Sequence, residues 1–227
     1  MTPSSSPCVV SPYVASPCVL RRFEGFPALP RHAPGMRIGL FGGSFNPPHA
    51  GHRLASLIAL RRLRLDRVWW IVTPGNPMKD NRALPGLDER MKAAQQVASH
   101  PRIDITGFEA KIETRFTYDT LAYLKRRCPG VSFVWIIGAD NLNGFHRWQR
   151  WRDIARMVPV AVVDRPGSTL TAARSRAGVW MQDGRIAESR ADLLPTASLP
   201  AWAFLHGPRS GLSSTMLRRQ RENATMP

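Results

Sequence analysis

The sequence predicts an α/β fold: a doubly wound, mostly parallel sheet in a single domain, preceded by a disordered N-terminal extension. Three observations predict it. Wholly apolar runs of strand length recur, such as VWWIV at 68–72 and VPVAVV at 158–163. Segments with apolar residues on helical spacing alternate with them. Strands that are apolar throughout belong in a parallel sheet whose two faces are both covered by helices. The length of 227 residues bounds the chain to one large or two small domains, with enough material for a core.

Residues 1–35 stand apart from this pattern. They hold seven of the twenty prolines and a near-repeat of SPCVV, SPYVA and SPCVL across 6–20. Proline at this density forbids helix and opposes a central strand. Prolines break every apolar run, and the first arginines, at 21–22, come after those runs, the reverse of a signal peptide. The stretch reads as a disordered extension, dispensable for fold and activity. Met36 then opens the globular part, 36–227.

From there the elements follow in order. RIGLFGG at 37–43 is a buried strand, and GHRLASLIALRRL at 51–63 sets Leu54, Leu57, Ile58 and Leu60 on helical spacing. RVWWIVT at 67–73 is the second strand. Asp88 is expected to cap a helix running to His100, where Pro101 stops it. RIDIT at 102–106 is the third strand, TYDTLAYLKRR at 117–127 a helix halted by Pro129–Gly130, and VSFVWIIG at 131–138 the fourth strand. Residues 146–157 read as a short helix, 158–163 as the fifth strand, 200–207 as the sixth, and 213–221 as a last helix. In such sheets ligands bind at the carboxyl ends of the strands, where the order of winding reverses.

Charge narrows the partners. Lys+Arg total 32 against 16 for Asp+Glu, a net +16, and all but Lys79, Lys92, Lys111 and Lys125 are arginine. Arginine suits planar, bidentate contact with phosphate, so the balance points to an anionic partner: nucleic acid, nucleotide or membrane surface. The cations are scattered along the whole chain with no repeated aromatic–basic interleave, so no nucleic acid is expected. A basic nucleic-acid-binding protein is nonetheless the alternative from another class, and it would show binding that weakens steeply with salt. No stretch approaches the roughly 18 apolar residues of a membrane span, so no membrane is expected either. The three cysteines, Cys8, Cys18 and Cys128, form neither a disulfide framework nor a CxxC pair, which indicates a reducing, cytoplasmic setting.

The chemistry sits after the first strand, in GGSFNPPHAGH at 42–52. Gly42 and Gly43 would let the backbone turn tightly and approach a ligand, and Pro47 and Pro48 stiffen the loop. His49 falls at the entrance of the following helix and His52 three residues on, so both imidazoles can face one side. A helix N-terminus already attracts anions through its free N–H groups and dipole. Two imidazoles there can hold phosphate oxygens as charge develops on them. A Walker A loop is excluded, because no Lys-Ser/Thr follows the glycines.

Here the chain resembles a family. GxFxPxHxGH after the first strand is the signature of the HxGH nucleotidyltransferase superfamily, which implies a Rossmann-like fold. LSSTMLR at 212–218 is similar to its late ISSTxIR element. Read physically, Ser213, Ser214 and Thr215 offer hydroxyls at a helix start, with Arg218 one turn along. VTPGNPMK at 72–79, FTYDTL at 116–121, WIIGADNLNGFHRWQRW at 135–151 and DRPG at 164–167 resemble the bacterial nicotinate-nucleotide adenylyltransferases in particular.

That resemblance implies adenylyl transfer from ATP to nicotinate mononucleotide, giving deamido-NAD and pyrophosphate, with Mg²⁺ carried on the phosphates rather than by a protein cage. It implies His49, His52 and Arg218 as catalytic residues. Gly42, Gly43, Ser44, Phe45, Ser213, Ser214 and Thr215 join them around ATP. For the nicotinate mononucleotide side it implies Lys79, Thr117, Asp140, Trp148 and Gln149. Trp148 would stack on the pyridine ring, Thr117 and Gln149 would offer backbone N–H groups to its carboxylate, and Asp140 would lie near the riboses. Gln149 departs from the aromatic residue common in the family, so only its backbone role carries over. Other HxGH enzymes, phosphopantetheine adenylyltransferase or a cytidylyltransferase, are the alternative within the superfamily, and the Trp148 segment argues against both.

Overall fold

A computed structural model of the chain describes residues 27–75, 81–165, 169–208, 212 and 214–218. Strands β1 (Arg37–Gly43), β2 (Arg67–Val72), β3 (Ile103–Thr106), β4 (Ser132–Gly138), β5 (Val160–Val163), β6 (Arg185–Ile186) and β7 (Trp202–Leu205) form one sheet. Their order is β3-β2-β1-β4-β5-β7-β6, and every pairing is parallel. The chain winds outward from β1 to β3, then crosses to β4 on the other flank of β1. The carboxyl ends of β1 and β4 therefore border the crevice where the winding reverses.

Alternation along each strand divides the core. Ile38 and Leu40, Trp69 and Ile71, Phe133, Trp135 and Ile137, and Trp202 and Phe204 face one layer. That layer is closed by α4 (Thr117–Arg127), α5 (Ala139–Gly144), α6 (Trp151–Met157), α7 (Thr169–Ala172) and α8 (Arg176–Trp180). Phe41, Val68, Trp70, Val72, Val134, Ile136, Ala203 and Leu205 face the other. There they meet α1 (Ala50–Arg62), α2 (Leu87–Ala98) and the 3-10 stretch Glu188–Thr196. The parallel, doubly wound sheet expected from the apolar strands is what forms, for the reason given: both faces are buried.

The elements differ in detail where local chemistry overrides pattern. α1 buries Gly51, Ala55, Ser56, Ala59 and Leu60, while Leu54, Leu57 and Ile58 are only half-buried. Small residues on the inner stripe let the helix lie close over the sheet, and the larger aliphatics flank it. α2 starts at Leu87 with Gly86 as its N-cap, so Asp88 lies in the first turn rather than capping it. There it still complements the helix dipole. Residues 146–157 are not one helix: a 3-10 turn at Phe145–Arg147 precedes α6, and Arg150 between them is left-handed, with φ 55°. The strand expected at 200–207 is β7, because the two-residue β6 precedes it. β6, α3 (Phe108–Lys111), α5, α7 and α8 are too short to impose a period on the sequence.

Residues 27–35, expected to belong to the disordered extension, lie against the domain. Leu29 packs on the core, the His32 ring meets Trp69 at 5.9 Å, and the Gly35 N–H donates to the Gly130 carbonyl at 2.8 Å. The packed part thus begins ahead of Met36; residues 1–26 lie outside the described residues. Half-burying Leu29 and the His32 edge contributes about 1–2 kcal/mol. A chain starting at Met36 should therefore melt roughly 2–8 °C below one starting at Pro27. Equal melting temperatures in a calorimetric comparison would show that this segment adds nothing.

Candidate active site

The loop from β1 to α1 forms the floor of the site. Gly42 and Gly43 remain inside β1, paired with Ile71 and Val72, so they do not make the turn. A Cβ on Gly42 would stand 2.7 Å from Trp135 Cη2, and the glycine is needed to make room for that ring. The turn falls instead at Phe45, with φ 46°. A left-handed phenylalanine costs about 1–2 kcal/mol, offset here by burial of its ring. The ring stacks on Trp70, centroids 4.8 Å apart and 11° between planes. Arg90 Nη1 donates to the Ser44 carbonyl (2.9 Å) and to the Thr73 carbonyl (2.8 Å), joining the ends of β1 and β2.

His49 is the extended N-cap of α1, and its backbone N–H donates to His52 Nδ1 at 3.2 Å. His52 Nδ1 is therefore an acceptor, and the proton of the neutral ring sits on Nε2. The two rings lie 3.8 Å apart. Behind them, the Ser56 hydroxyl donates to the His52 carbonyl (3.0 Å) and accepts from Trp70 Nε1 (2.7 Å), which locks the first turns of the helix. Burial, then the neighbouring His49 and Arg165, lower the His52 pKa to about 3. Burial and Arg165 lower that of His49 to about 4. Both rings are neutral at pH 7. Among the described residues His49 Nδ1, which is buried, has no hydrogen-bond partner.

The late motif closes on this same loop. The Ser214 hydroxyl donates to the Pro47 carbonyl (2.9 Å), and Arg218 donates through Nη1 to the Asn46 carbonyl (2.6 Å) and through Nη2 to Thr215 Oγ1 (3.3 Å). Residues 214–218 are helical. Two motifs separated by some 170 residues thus meet. Ser213 lies outside the described residues.

On the β4 side, Asp140 stands in the first turn of α5, its carboxylate exposed and 3.8 Å from Arg165 Nε. Trp148 follows the 3-10 turn, half-buried, its ring edge-on to Phe145 (5.2 Å) and Trp135 (6.4 Å). Gln149 beside it is exposed. The Arg150 guanidinium lies 3.5 Å from the Tyr118 ring centroid. That contact brings the Trp148–Gln149 turn to the first turn of α4, which Thr117 opens. Buried Glu109 accepts from Thr120 Oγ1 and anchors that turn from below; burial raises its carboxyl pKa. Lys79 lies outside the described residues.

The family described as cytidylyltransferase-like matches residues 40–220. A protein of Methylorubrum extorquens named "Probable nicotinate-nucleotide adenylyltransferase" is 61% identical over 183 residues, 81% of this chain and 99% of that one. A protein of Brucella suis with the same name is 55% identical over 184 residues, 81% of this chain and 95% of that one. The chain belongs to the cytidylyltransferase-like family, and within it to the nicotinate-nucleotide adenylyltransferases. Among solved structures, the nicotinic acid mononucleotide adenylyltransferase of Plasmodium falciparum complexed with APC shares the fold. Its TM-score is 0.61 at 15% identity, over 81% of this chain and 83% of that one.

Three further side chains, outside the residues expected from the sequence, border the candidate site. Arg165, inside the quoted DRPG stretch, stands close enough to both imidazoles to disfavour their protonation. Trp135 lies between Gly42 and Trp148. Arg90 is only 3% exposed. A signal for Arg90 was present: the buried residues of α2 are Arg90, Ala94 and Ala98, so the arginine occupies the small-residue stripe rather than the wet face.

Proposed function

We propose that the chain transfers the adenylyl group of ATP to nicotinate mononucleotide, forming deamido-NAD and releasing pyrophosphate, as a step in NAD biosynthesis. One observation carries the reading: Ser214 and Arg218 hydrogen-bond to the loop that bears His49 and His52, at the carboxyl end of β1. Two anion-binding elements thereby share one pocket beside the crevice.

The reaction needs positioning more than covalent chemistry. An oxygen of the mononucleotide phosphate attacks the α-phosphorus of ATP in line. The bond from that phosphorus to the bridging oxygen breaks, and pyrophosphate leaves with the electron pair. Gly42, Gly43, Ser44 and Phe45 line the nucleotide. His49, His52 and Arg218 supply N–H donors to its phosphates; Ser213 and Thr215 are proposed to add hydroxyls, and Ser214 would do so by turning its hydroxyl from the Pro47 carbonyl. Neutral imidazoles act here as fixed dipoles rather than as acids, and a bound polyanion would raise their pKa values again. Trp148 stacks on the pyridine, the backbone at Thr117 and Gln149 meets its carboxylate, and Asp140 accepts from ribose hydroxyls; Lys79, outside the described residues, is the cation proposed for phosphate.

The triphosphate, rather than side chains of this chain, would hold Mg²⁺, which would supply shielding of phosphate charge. The loop's own groups are imidazole, hydroxyl and guanidinium donors, which suit phosphate oxygens rather than a hard cation. Among the described residues no group of three or more His, Cys, Asp or Glu is placed to hold a metal. Among them, too, no helix is long and apolar enough to cross a membrane, and the cytoplasm is proposed as the setting. The test is pyrophosphate release from ATP with nicotinate mononucleotide, nicotinamide mononucleotide or phosphopantetheine as acceptor. Turnover with phosphopantetheine alone would overturn the assignment.

A further inference from the structure

Arg90 lies on α2, outside both motifs, and is buried to 3% exposure. Its guanidinium spends its donors on backbone carbonyls: Nε on Pro85 (2.8 Å), and Nη1 on both Ser44 (2.9 Å) and Thr73 (2.8 Å). Among the described residues no carboxylate pairs with it. A buried cation that the described residues hold by neutral carbonyls alone is an expensive way to fasten a helix to a sheet, since an apolar side chain would pack there without the desolvation cost. What the guanidinium supplies is planar, divergent donors that reach several fixed points at once.

Two of those points are the residues directly after β1 and β2. The Ser44 carbonyl belongs to the peptide that enters Phe45, the left-handed residue whose ring lies 4.8 Å from Trp70 and 5.0 Å from His52. Rotation of that peptide would swing the ring off His52. We propose that Arg90 is a positioning residue for the imidazole pair: by fixing the Ser44 carbonyl it holds the turn in which His49 N–H meets His52 Nδ1. The kinetic consequence rests on the adenylyl-transfer reading; the structural one does not.

The test compares Arg90→Met and Arg90→Lys in the full chain. Nitrogen-15 NMR of the histidine rings, without substrate, should show one His52 tautomer in the unmodified protein, protonated at Nε2. Arg90→Met should show averaging of both tautomers. Its kcat should fall roughly 10- to 30-fold, with the acceptor KM within twofold; Arg90→Lys, whose donors radiate from one nitrogen instead of a planar fork, should fall between. A lower melting temperature with the His52 tautomer and kcat per folded molecule unchanged would overturn the proposal. Should the unmodified chain fail to use nicotinate mononucleotide, the functional reading falls and the NMR comparison decides the role of Arg90 by itself. If Arg90→Met does not fold, Arg90→Lys is read in the same way. If neither folds, Arg90 is a structural residue and the proposal is overturned.

Discussion

His52→Ala should lower turnover by about 10²–10³, the usual cost of removing one preorganised donor to a developing oxyanion. The geometry makes the loss hard to repair. His52 Nδ1 is occupied by the His49 N–H, and its carbonyl is fixed by Ser56, so Nε2–H is held in one direction. Water that fills the cavity would not be oriented in this way. ATP affinity should change much less than kcat, because the donor matters most where charge accumulates. The same substitution alters acid stability. The unfolded chain protonates His52 near pH 6.5, whereas the folded chain resists down to about pH 3. The folded state therefore loses stability as pH falls from 6.5 toward 3, and His52→Ala should flatten that loss. Steady-state kinetics and melting curves between pH 4 and 7 would check both halves. Near-normal turnover would remove His52 from the chemistry.

Nicotinate mononucleotide should be preferred to its amide by roughly tenfold to a hundredfold in kcat/KM. The two acceptors differ by a carboxylate against a carboxamide on one ring. The proposed stacking on Trp148 would hardly distinguish them, since both rings are flat and similar in size. In the proposed binding mode the first turn of α4 would distinguish them. The N–H groups of Asp119 and Thr120 already donate to the Phe116 carbonyl. Helix geometry leaves those of Thr117 and Tyr118 to other partners. Donors at a positive helix end suit an acceptor-only carboxylate. A carboxamide would turn its NH₂ toward one of them, and an unpaired buried polar group costs about 1–3 kcal/mol. Trp148→Ala should then weaken both acceptors and largely keep their ratio. Equal use of the two by the unmodified enzyme would sink the carboxylate argument, and a ratio that collapsed in the variant would make Trp148 the discriminating residue.

The sheet was legible because strands such as VWWIV declare burial on both faces, and the loop because His49 and His52 sit at a helix start after a strand. What remained hidden was of two kinds. Short elements such as α5 and α7 carry no period to detect. Other features depend on neighbours remote in the chain: nothing local says that Gly42 yields to Trp135, that Phe45 rather than a glycine takes the left-handed turn, or that the small residues of α1 face inward. The Ser214–Pro47 bond, too, spans most of the chain. Only resemblance paired those two segments in advance; hydrophobic periodicity could not.

The placement of Trp135 constrains how such a protein can change. One indole fills the gap over Gly42, in the loop proposed for the nucleotide, and meets the edge of Trp148, proposed for the acceptor. Enlarging residue 42, even to alanine, presses on the Trp135 ring, and a smaller group at 135 takes from Trp148 one of the two rings that meet it edge-on, leaving Phe145. Acceptable replacements at 42, 135 and 148 must therefore arrive as matched sets. If the proposed subsites hold, recutting one of them would disturb the other, because Trp135 borders both Gly42 and Trp148.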